Sequence, residues 1–345
     1  IVDDMRSLGL FGLTIPEEYG GLGLTTEEEC LVVIELGHTS PAFRSVFGTN
    51  NGIGSQGLVM DGTAVQKQHY LPKLADGSII GSFALTEPDS GSDSASLQTK
   101  AVLEGDFYSL TGTKRYITNA PSAHLFTVFA RTDPNEKGSR GISAFLVDAK
   151  SPGITLSGAY KKMGQHGAHV CDVILEGCKV PKENVLGDVG KGFAIAMNAL
   201  DNSRIGIAAQ GLGIAQGAYE AALKYSKERE TFGKPIAAHQ SIGNYLADMA
   251  LRIDAARLQV YKAAWAKQQH YENGAERHTL EASYAKLNAG DTAMWVSEKA
   301  VQVLGGYGYT TEFPVERFFR DAKITQIYEG TQEVQRLVIA REIGK

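Results

Sequence analysis

The chain has 345 residues, 43% hydrophobic and 21% charged, with a net charge of -5, a globular balance that excludes a disordered or collagen-like chain. No Lys/Arg run supplies the clustered basic face that duplex DNA needs, and no apolar run approaches the ~20 residues of a membrane span. The three cysteines, Cys30, Cys171 and Cys178, cannot build a disulfide framework and favour a reducing compartment.

At roughly 100–200 residues per domain the length is that of two or three domains, and the pattern divides the chain into three. Residues 1–78 read as helices and loops. Ser7–Leu13 is apolar and punctuated by glycine, Pro16–Gly23 is rich in turn residues, and Thr26–Gly37 opens on a TTEEE start in which Thr25 or Thr26 caps the free N–H groups. Gly62–Leu74 is a further helix. Residues 79–190 change to short segments rich in β-branched and aromatic residues, at Ile79–Leu85, Gln98–Leu103, Phe107–Leu110, Arg115–Thr118, Leu125–Arg131, Ile142–Val147 and Asp172–Leu175. Their close spacing predicts a small antiparallel barrel or sandwich. Residues 191–345 return to a helical period, with apolar positions three and four apart from Phe193 to Ala222, Ile242 to Val260 and Ala282 to Val303, then Val334, Leu337 and Val338. Long helices with small faces predict a bundle. The fold class is therefore α+β, with helices, then a β domain, then a helical bundle.

Several motifs invite a chemical reading. Gly211, Gly213 and Gly217 have the spacing GxGxxxG, but no strand precedes them and they sit inside a helical period, so close helix packing accounts for them. Gly187–Gly192 (GDVGKG) lacks the ending of a P-loop. His166, His169 and Cys171 lack a fourth ligand nearby, so no metal is expected. The loop Thr86–Asp93 (TEPDSGSD) is dense in hydroxyls and exposed N–H groups. It suits a phosphate or the polar edge of a ring, or it is an ordinary surface turn. Tyr116-Ile117-Thr118-Asn119 sets an aromatic beside a hydroxyl at a strand end, and Gln302–Gly308 and Ile327–Thr331 are loops between helices. Within the latter, Glu329 stands in an apolar, aromatic stretch. It is either a base with a raised pKa or a helix-start residue.

These motifs together resemble the acyl-CoA dehydrogenase family. The resemblance runs from about Leu8 to the C-terminus and is carried, in the family's order, by PEEYGG at 16–21, ALTEPDSGSD at 84–93, YITN at 116–119, RETFGKPI at 229–236, QVLGGYGY at 302–309 and RDAKITQIYEGTQEVQR at 320–336. It implies an N-terminal helical domain, truncated here, a middle β domain, a C-terminal four-helix bundle and FAD as cofactor. The segment from Phe83 to Ser92 resembles the one lining the flavin, with Leu85 and Gly91 in it, Thr86 bonding the ring edge, and Ser92 near the pyrophosphate and the CoA arm. Tyr116, Ile117 and Thr118 match the strand end at the flavin face and its N5 edge, where the family more often has Trp at the first position. Arg229, Thr231, Phe232 and Gln240 resemble residues that reach the FAD of a partner subunit. Gln302, Gly305 and Gly306 resemble the strip along the diphosphate, and Thr331 and Glu333 contacts at the end of the cofactor. Asp201 and Arg204 match a pair that binds CoA, and Gly330 a substrate contact.

The implied chemistry is oxidation of an acyl-CoA thioester to trans-2-enoyl-CoA, as in fatty-acid β-oxidation. Glu329 takes the α-proton while the β-hydride goes to flavin N5. The thioester oxygen is held by an FAD ribose hydroxyl and the backbone N–H of the base, in the manner of an oxyanion hole. Some relatives place the base before Arg204, where this chain has Ser203, which cannot serve. Electrons are expected to pass to an electron-transfer flavoprotein. The rivals are an oxygen-using oxidase or monooxygenase on the same scaffold and a non-enzymatic flavin-binding relative. A homotetramer is expected, in the cytoplasm of a bacterium or the mitochondrial matrix of a eukaryote and not secreted. Arg44 resembles the arginine with which glutaryl-CoA dehydrogenases meet a distal carboxylate, or it caps a helix end or bonds to backbone carbonyls. The glutamate those enzymes carry seven residues earlier, tied to decarboxylation, is Gly37 here.

Overall fold

The structure is a computed structural model that describes residues 1–136 and 138–345. The first helices are α1 (Val2–Ser7), α2 (Thr26–Gly37), α3 (Pro41–Asn51), α4 (Gln56–Asp61) and α5 (Ala64–Ala75). Two of them start on reciprocal side-chain caps. Thr25 accepts from the Glu28 N–H while the Glu28 carboxylate accepts from the Thr25 N–H, and Thr63 and Gln66 do the same ahead of α5. The sequence reading missed α3 and α4, whose Gly, Asn and Ser content mimics loop.

The chain forms two compact units, residues 1–24, 45–161 and 167–202 in one, and 25–44, 162–166 and 203–345 in the other. The first holds β1 (Gly81–Ala84), β2 (Lys100–Glu104), β3 (Phe107–Thr118), β4 (Leu125–Arg131), β5 (Ile142–Asp148), β6 (Ile154–Leu156), β7 (Val170–Pro181) and β8 (Val185–Leu186). They make one sheet in the order β6-β7-β3-β2-β4-β5-β8, with β1 on β4. It is a mixed sheet and not the closed antiparallel barrel expected from the sequence. β1 pairs parallel to β4, and β2 meets β4 parallel at Lys100 and Arg131. Alternation of side chains is the same in parallel and antiparallel strands, so the spacing could not reveal this. β4 and β5 are buried on both faces. Phe126, Val128, Phe145 and Val147 join one core, while Leu125, Phe129, Ile142 and Leu146 join another with Leu58, Leu71 and Leu74, which is why these strands read as continuous apolar runs.

The second unit holds α2 and the long helices. These are α6 (Gly192–Glu228), which begins in the first unit, then α7 (Gln240–Asn273), α8 (Thr279–Leu304), α9 (Val315–Ala322) and α10 (Gln332–Ile343), with the short hairpin β9 (Glu230–Thr231) and β10 (Lys234–Pro235) between α6 and α7. Ala208, Leu212, Ala215, Met249, Ile253, Ala285, Ala289 and Val296 share its core. The glycine run in α6 is a packing device. A Cβ on Gly213 would stand 2.4 Å from the Ile34 carbonyl oxygen, and one on Gly37 would stand 2.6 Å from the Gly213 Cα, so α2 and α6 touch backbone to backbone. No helix among the described residues is long and apolar enough to cross a membrane.

Candidate active site

Glu329 lies in the turn between α9 and α10 with φ 52°. A left-handed conformation costs a non-glycine residue ~1–3 kcal/mol, and here the surroundings enforce it. Lys286, fully buried on α8, donates to the Gly330 carbonyl at 2.7 Å and to Gln332 at 3.1 Å. Gln335 donates to the carbonyls of Glu329 and Gly330, and Arg204 Nε to the Glu329 carbonyl at 3.3 Å. Ser203 Oγ donates to Glu329 Oε1 at 3.1 Å, while Oε2 is enclosed without a hydrogen-bond partner among the described residues. Burial raises the carboxyl's pKa above its ordinary value. The charges of Arg44, Arg204 and Lys286 and the Ser203 hydrogen bond offset part of that rise. Lys286 in turn is pushed down to about 8, chiefly by burial. The result is a carboxylate with one oxygen restrained, the other open to a proton, and a basicity above that of a solvated glutamate.

Arg44 is 6% exposed, its Nε has no hydrogen-bond partner among the described residues, and its charge faces Glu329, Glu29 and Tyr328. It therefore lies with the Glu329 carboxylate and does not cap a helix against solvent.

In the first unit the loop after β1 is pinned from beneath. Glu87 and Ser90 exchange backbone hydrogen bonds, and the Glu87 carboxylate turns inward to the N–H groups of Gln98 and Thr99 and to Lys114 Nζ at 2.8 Å. Lys114 is fully buried and also donates to the Leu85 carbonyl. Burial opposes both charges. Lys114 is pushed down to about 8, while its charge and the hydrogen bonds bring Glu87 below its ordinary value. With Glu87 and Leu85 inside, the loop shows Gly91 and Ser92 outward, with Thr86 half-buried and the Phe83 ring tilted against Phe129, centroids 4.8 Å apart. Nothing lies within 4 Å of where a Cβ on Gly91 would stand, so packing within the chain does not require glycine there, whereas a closely approaching ligand would. Nearby, Ile117 is buried, Thr118 half-buried, and Tyr116 is 61% exposed with φ 57°.

In the second unit Arg229, Thr231 and Gly306 line one cavity of about 560 Å³ with Tyr225, His239 and Tyr307. Gly306, like Gly91, has open space where a Cβ would stand, and Gly305 has φ 61°. Phe232 is 96% exposed at φ 52°, and Gln240 and Gln302 are exposed. Thr331 caps α10 by accepting from the Val334 N–H, with Glu333 exposed beside it. Asp201 is buried in the first unit and Arg204 in the second. Thus Ser203, Arg204, Arg44, Glu329 and Gly330 form one group, Arg229, Thr231 and Gly306 another, and the 83–92 loop with Tyr116 a third. Three of the five non-glycine residues at positive φ among the described residues, Tyr116, Phe232 and Glu329, are site candidates, as expected where strain is kept for function. Sequence reasoning missed Lys286, Gln335, the Glu87–Lys114 pair and His239. Lys286 did leave a signal, because a lysine stands on the apolar stripe between Ala282 and Ala289.

An enclosed carboxylate with raised pKa and open, glycine-bearing backbone loops fit a flavin dehydrogenase. Three family descriptions match the chain in order: acyl-CoA dehydrogenase, N-terminal domain, over residues 1–78, middle domain over 82–178 and C-terminal domain over 190–344. A short-chain specific acyl-CoA dehydrogenase of Clostridium acetobutylicum is 44% identical over 99% of this chain and 89% of its own. Butyryl-CoA dehydrogenase from Megasphaera elsdenii superimposes with a TM-score of 0.96 at 43% identity, covering 100% of this chain and 89% of that one. An acyl-CoA dehydrogenase complexed with FAD from Bacillus anthracis does so with a TM-score of 0.93 at 35% identity, over 99% and 60%. The chain belongs to the acyl-CoA dehydrogenase family. It is an oxidoreductase acting on CH–CH bonds, and its cofactor is FAD.

Proposed function

We propose that Glu329 removes the α-proton of an acyl-CoA thioester, giving trans-2-enoyl-CoA. FAD, when bound, supplies the acceptor for the β-hydride. The observation that carries this reading is the enclosed, unpartnered Oε2 of Glu329 with its pKa raised by burial. An α-proton beside a thioester is weakly acidic, so a base needs a pKa nearer neutrality. Ser203 and Arg204 orient the carboxylate and its backbone, and Lys286 holds the following carbonyl. The Glu329 N–H is the donor this chain would offer the thioester oxygen. Thr86, Ser92, Tyr116 and Thr118 would hold FAD. Arg229, Thr231, Phe232 and Gln240 would reach the cofactor of a neighbouring copy in a homotetramer, and the long helices would complete a four-helix bundle. Arg204 would meet the CoA portion, and an electron-transfer flavoprotein would reoxidise the enzyme. Arg44 would take a distal acyl carboxylate. Anaerobic titration of the FAD-loaded protein with a panel of acyl-CoA thioesters tests this. Bleaching of the flavin in the parent and not in Glu329→Gln is expected, and equal bleaching in both would move the base elsewhere.

A further inference from the structure

β3 and β7 pair in register at Lys114 with Val173 and again at Ile117 with Cys171. Two residues, Arg115 and Tyr116, therefore stand opposite one, Asp172, as a β-bulge. The side chain of that single residue is bonded to both bulged residues. Asp172 Oδ2 accepts from Arg115 Nε and Nη2, each at 3.3 Å, and Oδ1 from the Tyr116 N–H at 3.4 Å. Oδ1 also accepts from the Tyr160 hydroxyl at 2.9 Å. Asp172 is itself fixed, 7% exposed, with its N–H donated to Ser157 Oγ and its carbonyl accepting from the Ser157 N–H. Two consequences reach the flavin-facing loop. Tyr116 is held at φ 57° with its ring exposed, its centroid 5.1 Å from that of Tyr160. The Arg115 N–H is donated to the Thr86 carbonyl at 2.7 Å.

We propose that Asp172 is a positioning residue that sets the Tyr116 ring, backed by Tyr160, for stacking against the planar ring of bound FAD, and that through Arg115 it fixes the Thr86 edge of the same site. This rests on the reading of Tyr116 and Thr86 as flavin contacts. A side chain in the left-handed region does not stay there unaided, and a tyrosine ring offers less stacking area than the indole more common in this family. A second ring and a carboxylate clamp compensate by holding the smaller ring in one orientation. The clamp uses every acceptor direction that Asp172 can turn toward the bulge, so asparagine keeps the contacts to Tyr116 and Tyr160 in part and loses the charged pair with Arg115.

The test uses the FAD-loaded enzyme as Asp172→Ala, Asp172→Asn, Tyr160→Phe and Tyr116→Leu. The readouts are visible and near-ultraviolet circular dichroism, flavin fluorescence, the FAD dissociation constant, and kcat and KM separately. Asp172→Ala should change the flavin dichroism and raise flavin fluorescence and the FAD dissociation constant several-fold. It should lower kcat with KM for the thioester unchanged within about twofold, with Asp172→Asn and Tyr160→Phe intermediate. The near-ultraviolet tyrosine signal should weaken in the FAD-free protein too. If Tyr116→Leu alters the flavin signals and Asp172→Ala does not, Asp172 has no positioning role. If Tyr116→Leu leaves them unaltered, the assignment of Tyr116 to the flavin fails and the proposal with it.

Discussion

The Ser203 hydroxyl donates to the Glu329 carboxylate across 126 residues of sequence at 3.1 Å. The hydroxyl thus restrains one oxygen of the carboxylate proposed as the base. Replacing Glu329 with Gln keeps the shape and removes the proton acceptor. Turnover should fall by at least ~10²–10⁴, with FAD retained in the visible spectrum. Activity within a few-fold of the parent would assign the base to another residue.

The same contact gives a pH prediction. With Glu329 as the proposed base, burial raises its pKa above the ordinary value, so kcat/KM should climb with pH along an acid limb displaced upward from that of a solvated glutamate. Ser203→Ala removes a hydrogen bond that favours the ionised form, so the limb should move further toward alkaline pH while the plateau is largely kept. A limb that moves down, or stays in place, would show that Ser203 does not set the basicity of Glu329.

Stability at acid pH should depend on His278. It is 4% exposed, neither ring nitrogen has a hydrogen-bond partner among the described residues, and burial, with the charges of Lys267, His270 and Arg277, pushes its pKa down to about 3 from 6.5. Between pH 6.5 and 3 the unfolded chain binds the proton and the folded chain does not, so this group removes stability as pH falls through that window. His278→Leu should flatten the acid limb of the urea midpoint measured from pH 7 to 4. A limb parallel to the parent's would assign acid unfolding to other groups.

Much of this was legible in the residues, and what was not has physical causes. The cap at Thr25, the α6 glycines and the Glu329 turn follow from local pattern, because caps, close packing and loops each carry their own residue types. The direction of β1 and β2, the Glu87–Lys114 pair and the contact of Ser203 with Glu329 join residues from 27 to 126 positions apart. Periodicity carries no information about such partners. The Asp172 clamp was hidden because it depends on a register shift, which shows only when two strands are paired.

Arg229 and the glycines of 305–306 predict a link between cofactor retention and assembly. Arg229 is exposed and lines the 560 Å³ cavity with Thr231 and Gly306, where its guanidinium could bond a diphosphate with charge assistance. Arg229→Ala should release FAD on gel filtration at concentrations where the parent keeps it, and should shift light scattering from tetramer toward smaller species. A fully FAD-loaded monomer of the parent would reject the neighbouring-subunit reading.

The acyl end of the substrate turns on Arg44 and Gly37. Arg44 is buried with its Nε unpartnered among the described residues, and its charge acts on the carboxylates of Glu29 and Glu329. A buried guanidinium donor without an acceptor is costly, and a distal acyl carboxylate would supply one in bidentate form. At Gly37, a Cβ would fall 2.6 Å from the Gly213 Cα and 2.8 Å from its carbonyl carbon. Backbone cannot give way as a side-chain tip can, so no carboxylate can be placed there without parting α2 from α6. Gly37→Glu should therefore cost stability beyond the ~1–3 kcal/mol of ordinary overpacking. For the same reason a dicarboxylyl thioester should be oxidised without release of CO₂. The comparison is of glutaryl-, adipyl-, butyryl- and hexanoyl-CoA with the parent and Arg44→Met, following flavin bleaching and evolved CO₂. Arg44→Met should raise KM for the acidic chains at least tenfold while sparing the neutral ones. It should also move the acid limb of kcat/KM upward for every substrate, because the Arg44 charge favours ionised Glu329. A preference for neutral chains that survives the substitution would reject a carboxylate role for Arg44, and CO₂ from glutaryl-CoA would show that decarboxylation does not need a carboxylate at position 37.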